Sequence, residues 1–302
     1  MIGDKNIFIM SEVKKAIIPI AGLSTRFLPL SKAVPKELWP LVDLPMIQYV
    51  ITEAKNAGIK EIIFVLRPEN KKVLDYLKPS PKIDKILKER KKENILNEMK
   101  GLENLFKDIS FSYVLQKRPL GDGNAIFQAA KLVAGDNIAC LFGDDIIDSK
   151  TPVISQLAKV FKTCQKPVIA LYQVPREKIS HYGAVKVEKI AHRFYKIKKI
   201  IEKPSLEETP SDLAIVGRYI LTPEVFDYLK KARPSKKGEV ILAEVFNNQM
   251  LREGKVIYGY EIEGNWLECG DKLRWLKSNL YFSLKHPQYG PELKNYLKEM
   301  RF

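Results

Sequence analysis

The chain has 302 residues, of which 45% are hydrophobic, and it carries a formal net charge of +15 at pH 7. This length suits one large α/β domain, or one domain with a smaller addition, in a soluble globular protein. We expect neither a membrane partner nor a signal peptide, because no apolar run could span a bilayer and residues 1–13 are mixed and charged. The three cysteines are widely separated, which indicates reduced thiols in a cytoplasmic protein.

Strand and helix signals alternate through the first half of the chain. Short apolar runs predict strands, and the stretches of helical periodicity between them predict helices. The predicted strands cover 16–20, 62–66, 110–115, 138–142 and 168–174, and the predicted helices cover 46–57, 78–100, 125–133 and 151–161. This alternation is typical of an α/β fold with a Rossmann-like, doubly wound sheet that is mixed but mainly parallel.

The pattern changes after residue 175. Closely spaced strand signals at 184–187, 197–201 and 214–220 predict a small antiparallel extension of the sheet. C-terminal helices are predicted at 223–231, 239–252 and 271–284, and a short amphipathic helix is predicted in the tail. We therefore expect an N-terminal extension (1–13), a domain (14–284) whose two parts meet near residue 175, and a C-terminal helical tail (285–302).

The loop after the first strand holds the most specific motif. Small residues between 21 and 25 let backbone N–H groups approach a phosphate, and Arg26, Lys32 and Lys36 could neutralise its charge. Open α/β sheets bind their ligands at this carboxyl end of the strands. The Gly-x-Ser-x-Arg pattern alone would equally fit a proline-rich connection with solvated lysines, so the interpretation depends on the longer stretch.

The longer stretch resembles the signature GxGTRxxPxTKxxPKExxPxxxxP of the bacterial sugar-phosphate nucleotidyltransferases. Here it reads Gly22-Leu23-Ser24-Thr25-Arg26-Phe27-Leu28-Pro29, Ser31-Lys32, Pro35-Lys36-Glu37, Pro40 and Pro45. Within this family the chain is most similar to the enzymes that use UTP and glucose 1-phosphate, and the similarity runs from about residue 14 to about residue 284. The resemblance implies a Mg²⁺-dependent reaction in which glucose 1-phosphate attacks the α-phosphorus of UTP, giving UDP-glucose and pyrophosphate.

The resemblance assigns the nucleotide to the first part, 14–175. Arg26 and Lys36 would be the catalytic cations that hold the triphosphate and the leaving pyrophosphate. Other residues of the same loop would contact the nucleotide, namely Ala21, Gly22 and Glu37. The loop departs from the family pattern at Ser24, which replaces the second glycine.

A second nucleotide motif lies in the stretch QKRPLGDGNA. The resemblance implies that Gln116 contacts the pyrimidine edge and that Gly121 supports the nucleoside. Glycines at the start of a helix also allow a flat ligand to approach the backbone. Asn124 stands where the family has a histidine.

The metal site is implied by two carboxylates. Asp144 and Asp145 follow an apolar strand, a position where a hard cation finds oxygen ligands beside a phosphate. The match to the family places metal binding on Asp144. The second metal ligand would be Glu268 in Glu268-Cys269-Gly270, where the family has an aspartate.

The sugar phosphate is assigned to the second part, 176–284. The stretches His181-Tyr182-Gly183 and Glu202-Lys203-Pro204 resemble the sugar-binding motifs of the family. They imply that Gly183, Glu202 and Lys203 bind the sugar phosphate, since a carboxylate accepts bonds from hydroxyls while a lysine reaches a phosphate.

Three alternatives remain open from the sequence. A thymidylyltransferase, or a relative that uses another sugar phosphate, would carry the same motifs, because one methyl group on the base contributes little binding energy. A catalytically silent regulatory paralogue is the second. A nucleic-acid-binding protein is suggested by net charge alone, but the basic stretches 78–100 and 192–203 lack interleaved aromatics, so we expect no nucleic-acid partner. We expect a homodimer or homotetramer.

Overall fold

The computed structural model describes residues 13–300. The expected N-terminal extension lies outside the described residues apart from Val13, and so do the last two residues of the expected tail. The strands are β1 (Lys15–Ile20), β2 (Pro40–Leu41), β3 (Leu44–Pro45), β4 (Glu61–Leu66), β5 (Ser110–Leu115), β6 (Ile138–Leu141), β7 (Asp145–Asp148), β8 (Val168–Gln173), β9 (Gly183–Ala191), β10 (Phe194–Glu202), β11 (Leu213–Leu221), β12 (Tyr258–Glu261) and β13 (Asn265–Glu268).

Helices connect most of these strands. They are α1 (Met46–Asn56), α2 (Lys72–Tyr76), α3 (Pro81–Glu89), α4 (Glu93–Phe106), α5 (Asp122–Gln128), α6 (Ala130–Val133), α7 (Val153–Cys164), α8 (Pro223–Lys231), α9 (Leu242–Val245), α10 (Lys272–Lys285) and α11 (Gly290–Glu299). Within residues 13–300, no helix is both long enough and apolar enough to cross a membrane.

The described strands form a nine-stranded mixed sheet in the order β5-β4-β1-β6-β11-β8-β12-β10-β9. The first four neighbours are parallel, so the α/β alternation predicted for the first half is confirmed there. Because β1 has β4 on one side and β6 on the other, the strand order reverses between β1 and β6. Ligands bind in α/β sheets at such a point.

The second half of the sheet departs from the expected mainly parallel arrangement. Antiparallel β11 lies between β6 and β8, and β10 pairs antiparallel with both β12 and β9. The antiparallel strands are thus part of the main sheet as well as an extension of it. Separately, β7 and β13 form an antiparallel ribbon that the sequence patterns missed, because each strand is short and has polar ends.

Hydrophobic clusters cover both faces of the sheet. Side chains alternate along β1, so Ile18 packs in one cluster with α1 and α7 while Ile17 packs in the other with α5 and α8. Full burial of such a side chain contributes about 1.5–3 kcal/mol. The two layers of helices therefore fix the ends of the central strands, from which the functional loops emerge.

Three helix predictions differ from the structure. The charged segment predicted as one helix over 78–100 forms α3 and α4, and Lys91 adopts a left-handed φ of 53° at the break between them. The helix predicted over 125–133 is divided into α5 and α6. The helix predicted over 239–252 begins at Leu242 and continues from α9 into a π-helical turn, Phe246–Met250.

Candidate active site

The loop after β1 is held by aromatic contacts. Phe27 is buried and meets the Trp39 ring edge-on, with 4.7 Å between the ring centroids, and Trp39 in turn meets Trp275 of α10 at 5.1 Å. This packing fixes the apolar side of the loop. It leaves Arg26 exposed on the other side, where its Nη1 donates to the carbonyl oxygen of Gly270 at 3.2 Å.

The departure at Ser24 falls on a strained position of this loop. Ser24 has a φ of 52°, in the left-handed region that glycine adopts without steric cost. A non-glycine residue there costs roughly 1–2 kcal/mol. Ala21 is buried, whereas Gly22 is exposed and an added Cβ on it would meet nothing within 4 Å, so the backbone at Gly22 is open to a ligand.

Lys36 and Asp144 form a close ion pair, with 2.5 Å between Nζ and Oδ2. Burial by itself would lower the pKa of Lys36, but the charge and hydrogen bond of Asp144, together with the charges of Glu37 and Asp145, outweigh burial and hold this pKa above its ordinary value. Burial would likewise raise the pKa of Asp144, yet Lys36 and Arg26 hold it below its ordinary value. Both groups are therefore charged at neutral pH, on adjacent loops at the carboxyl ends of β1 and β6.

The neighbouring Asp145 has a structural set of partners. Its Oδ1 accepts a hydrogen bond from Trp266 Nε1 at 2.6 Å, and its Oδ2 accepts one from the Gly217 amide at 3.0 Å. Burial, followed by the charge of Asp144, raises the pKa of Asp145 to about 7. Asp145 therefore joins β7, β11 and β13, and Asp144 is the member of the pair whose carboxylate faces the loop cations.

Arg218 holds the loop that carries Asp144, and it was not recognised from the sequence as a functional residue. It is fully buried, and its Nη1 donates to the carbonyl oxygens of Phe142 and Gly217 at 3.1 and 3.0 Å. Its Nη2 donates to the carbonyl of Asp145 at 2.6 Å and to Glu53 at 2.9 Å. Arg218 thereby holds the backbone on both sides of Asp144.

Glu268 lies beside these groups because β13 pairs with β7, which places Glu268 opposite Asp145. Both of its carboxylate oxygens accept hydrogen bonds from Arg274 Nη1 at 2.5 Å. A Cβ added to Gly270 would lie 2.8 Å from Glu268 Oε1, 3.5 Å from Arg26 Nη1 and 3.7 Å from Asp144 Oδ2. These three polar groups therefore surround one point.

The residues predicted to bind the sugar phosphate lie on the adjoining hairpin, where Gly183 of β9 pairs with Glu202 of β10. A Cβ added to Gly183 would lie 3.1 Å from Glu202 Oε2, so a larger residue would press on this carboxylate. Burial raises the pKa of Glu202 above its ordinary value, whereas Lys203 acts in the opposite direction. Lys203 is exposed, has a left-handed φ of 48°, and its Nζ lies 3.8 Å from Glu202 Oε1.

A cavity of about 200 Å³ is lined by residues from both predicted parts of the chain, 14–175 and 176–284. Five of the residues selected from the sequence line it, namely Arg26, Asp144, Gly183, Glu202 and Glu268. Lys36 reaches the same place through its contact with Asp144. The cavity also contains side chains that the sequence reasoning did not select, including Asp122, Tyr182 and Trp266. Tyr182 and Trp266 could have been found from the sequence, because each is an aromatic residue within or beside a selected motif.

Other selected residues lie outside this cavity. Glu37 is fully buried, and within residues 13–300 neither of its carboxylate oxygens has a hydrogen-bond partner. Burial raises the pKa of Glu37 to about 7. In this conformation Glu37 supports the loop from inside and does not present its side chain to a nucleotide.

The Gln116 motif forms a separate polar cluster. Gln116 is buried, and its Nε2 donates to the Gly121 carbonyl at 3.0 Å and to Asn124 Oδ1 at 2.9 Å. Asn124, which stands where a histidine was expected, is thus a hydrogen-bond partner of Gln116. Gly121 has a φ of 93°, and a Cβ there would lie 2.4 Å from the carbonyl oxygen of Val240. Glycine is therefore required at position 121 because the backbone of Val240 lies so close, whether or not a ligand also approaches.

The donor groups at the cavity suit Mg²⁺. Asp144 and Glu268 supply hard oxygen atoms that converge near Gly270. Within residues 13–300, no group of three or more His, Cys, Asp or Glu side chains is arranged to hold a metal. Mg²⁺ commonly uses one or two carboxylates together with substrate phosphates, so these residues fit a metal ion that is shared with a triphosphate.

Comparison with known proteins defines the class. A family profile for nucleotidyl transferases matches residues 15–280, so the chain belongs to the nucleotidyl transferase family. It is 37% identical over 296 residues to a UTP–glucose-1-phosphate uridylyltransferase of Staphylococcus haemolyticus, covering 97% of this chain and 100% of that protein. The particular relatives of this chain therefore include enzymes named for UTP and glucose 1-phosphate.

Solved structures agree with this relationship. A UTP-bound UDP-glucose pyrophosphorylase from Acinetobacter baumannii superposes with a TM-score of 0.86 and 32% identity, covering 96% of this chain and 100% of that chain. A UDP-glucose pyrophosphorylase in complex with UDP-glucose gives a TM-score of 0.82 and 34% identity, covering 91% of this chain and 100% of that one. The mixed α/β fold described above is thus shared with these enzymes.

Proposed function

We propose that this protein is a UTP–glucose-1-phosphate uridylyltransferase, which forms UDP-glucose and pyrophosphate from UTP and glucose 1-phosphate. The observation that carries the proposal is the single cavity in which Arg26, Asp144 and Glu268 of the predicted nucleotide and metal sites meet Gly183 and Glu202 of the predicted sugar-phosphate site. The near full-length similarity to enzymes of that name supports the same conclusion.

The reaction needs positioning and charge neutralisation more than covalent chemistry. One oxygen of the sugar phosphate forms a bond to the α-phosphorus of UTP while the bond from that phosphorus to the pyrophosphate oxygen breaks. The two substrates are mutually repelling anions, so cations must hold them in line. Arg26 is exposed at the cavity, and Lys36 is held charged by Asp144, so we assign these two side chains to the triphosphate and the leaving pyrophosphate.

The nucleotide site combines the open backbone at Gly22 with the cluster around Gln116. The Nε2 of Gln116 already donates to two acceptors, which leaves its carbonyl oxygen to act toward a base. An acceptor of this kind suits the N3–H of uracil, which cytosine lacks. We assign Ala21 and Gly121 to the backbone contacts of the nucleotide, and Glu37 to supporting the loop after β1 from within.

The sugar-phosphate site consists of Gly183, Glu202 and Lys203. Glu202 lines the cavity and can accept hydrogen bonds from sugar hydroxyls. Lys203 is exposed beside it, with a side chain long enough to reach the attacking phosphate as a point charge. The absence of a side chain on Gly183 preserves the position of the Glu202 carboxylate.

Mg²⁺ is the proposed cofactor, and Asp144 and Glu268 would hold it. When bound, the metal neutralises phosphate charge and orients the α-phosphate for attack. The protein groups contribute independently of it: Lys36 fixes the Asp144 carboxylate, and Arg218 fixes the backbone that carries Asp144.

We also propose a cytoplasmic homodimer or homotetramer, with a nucleotide part at 14–175, a sugar-phosphate part at 176–284 and a tail that begins at 285. Large apolar side chains are exposed on α10 and α11, including Leu273, Leu276, Leu280 and Tyr296. A second copy of the chain would cover them, since contiguous exposed apolar surface commonly marks an interface. Light scattering measures the molar mass of the wild type and of Leu276→Glu in solution. A monomeric wild-type protein would contradict this assignment.

A direct competition tests the substrates. Purified protein receives glucose 1-phosphate, Mg²⁺ and equal concentrations of UTP and dTTP, and the sugar nucleotides are separated by chromatography. We expect UDP-glucose as the main product. Predominance of dTDP-glucose would instead identify a thymidylyltransferase, and failure of folded protein to form either product would contradict the proposed activity.

A further inference from the structure

Arg274 holds the second predicted metal ligand. It lies at the start of α10, six positions after Glu268, and its Nη1 donates to both Glu268 oxygens at 2.5 Å. No sequence motif selected Arg274. Its contact matters because Glu268 faces the point near Gly270 where Asp144 also converges.

Besides Glu268, Arg274 contacts Asp271 and Tyr182. Its backbone amide donates to Asp271 Oδ1 at 2.9 Å, and its Nε lies 3.3 Å from Asp271 Oδ2. Its guanidinium lies over the Tyr182 ring, 5.2 Å from the centroid, a distance at which a cation is attracted to the ring face. The guanidinium is therefore anchored against the cavity wall and is not a freely moving surface charge.

The positive charge of Arg274 beside Glu268 disfavours the binding of a divalent cation to that carboxylate. The carboxylate that would ligate the metal already has its charge neutralised, and metal entry requires the metal to share or displace that partner. Charge interactions at a few ångströms in a partly buried site change binding constants by an order of magnitude or more. With Asp144 likewise paired to Lys36, both predicted ligands carry a protein counter-charge.

We propose that Arg274 is a positioning residue that weakens the metal affinity of the substrate-free site by holding Glu268. The inference rests on the proposed metal site. Mg²⁺ would then bind Asp144 and Glu268 chiefly together with the triphosphate, whose oxygens would supply further ligands. The inference depends on the ion pair between Glu268 and a cation in the first turn of α10.

Metal binding to the substrate-free protein tests this directly. Mn²⁺ is titrated into the folded protein and the free ion is followed by electron paramagnetic resonance. We expect Arg274→Gln to bind Mn²⁺ about tenfold more tightly than wild type, and Arg274→Lys, which keeps the charge, to stay within about threefold of wild type. Lys277→Gln removes an exposed charge from the same helix and should leave the affinity unchanged.

A second variant, Arg274→Ala, should also bind Mn²⁺ about tenfold more tightly than wild type, because it too removes the charge. Adding Glu268→Gln to Arg274→Gln should abolish the gain, because the effect acts through Glu268. Unchanged or weaker Mn²⁺ binding in folded Arg274→Gln or Arg274→Ala would overturn the inference, and so would a gain that survives Glu268→Gln. If Asp144→Asn leaves wild-type Mn²⁺ binding unaffected, the proposed metal site itself is wrong, a result distinct from failure of the Arg274 inference.

Discussion

Replacing Glu53 with alanine should both destabilise the protein and impair the loop that carries Asp144. Glu53 is nearly buried, and it pairs with Arg218, whose side chain is 0% exposed. Without Glu53 the guanidinium keeps its three carbonyl partners but loses the carboxylate that forms an ion pair with it. Removing one partner of a buried pair costs about 3–5 kcal/mol, because the remaining charge stays out of water.

That loss can be measured by thermal or urea unfolding. Unfolding entropy is about 2.1 cal/mol/K per residue, so for a chain of 302 residues a loss of 3–5 kcal/mol corresponds to a fall in Tm of roughly 5–8 °C. We also expect kcat to fall at least tenfold at temperatures where the variant is folded, because Arg218 fixes the backbone on both sides of Asp144. Glu61→Ala is the matched control: its 3.8 Å pair with Lys15 is partly exposed, so about 1 kcal/mol or less should be lost. A Glu53→Ala variant no less stable than Glu61→Ala would refute this account of Arg218.

Three further changes probe separate parts of the site. Lys203→Ala should raise the KM for glucose 1-phosphate at least tenfold while the KM for UTP stays within about twofold, and an unchanged catalytic efficiency would remove Lys203 from the sugar-phosphate site. Ser24→Gly should raise the free energy of unfolding by up to about 1 kcal/mol, since it relieves left-handed strain; a clear loss of stability would show that Ser24 is not strained. Glu37 has a folded pKa of about 7 against an ordinary value of 4.5, so folding takes up a proton and its contribution to stability declines as pH rises through that window. Glu37→Gln cannot titrate at this position and so lacks this decline. The free energy of unfolding of Glu37→Gln minus that of wild type should therefore rise by up to about 3 kcal/mol between about pH 4 and pH 8. A difference that stays constant with pH would contradict the pKa shift.

Local patterns predicted much of the fold. Strand β5 and helix α8 begin and end where the sequence predicted, because short apolar runs and a first-turn proline are signals contained within a few residues. The mixed sheet was less accessible, since the insertion of β11 between β6 and β8 depends on pairing between distant segments. The β7–β13 ribbon was missed because its two strands are short and have polar ends.

The site shows a similar division. Motif resemblance selected Arg26 and Asp144, and the structure brings them to one cavity. The role of Arg218 depends on Glu53, which is 165 positions away, so no local pattern could reveal it. The burial of Glu37 was equally hidden, because a charged residue in a polar loop looks solvated until the packing around it is known.

The most direct test of the proposed activity is the rate of pyrophosphate release from UTP in the presence of glucose 1-phosphate and Mg²⁺, compared between wild type and Asp144→Asn. The substitution removes the negative charge that Lys36 and the metal share and leaves the side chain almost the same size. The account predicts release by the wild type that depends on glucose 1-phosphate and falls at least a hundredfold in folded Asp144→Asn. Equal rates in the two proteins, or no release by folded wild type, would contradict it.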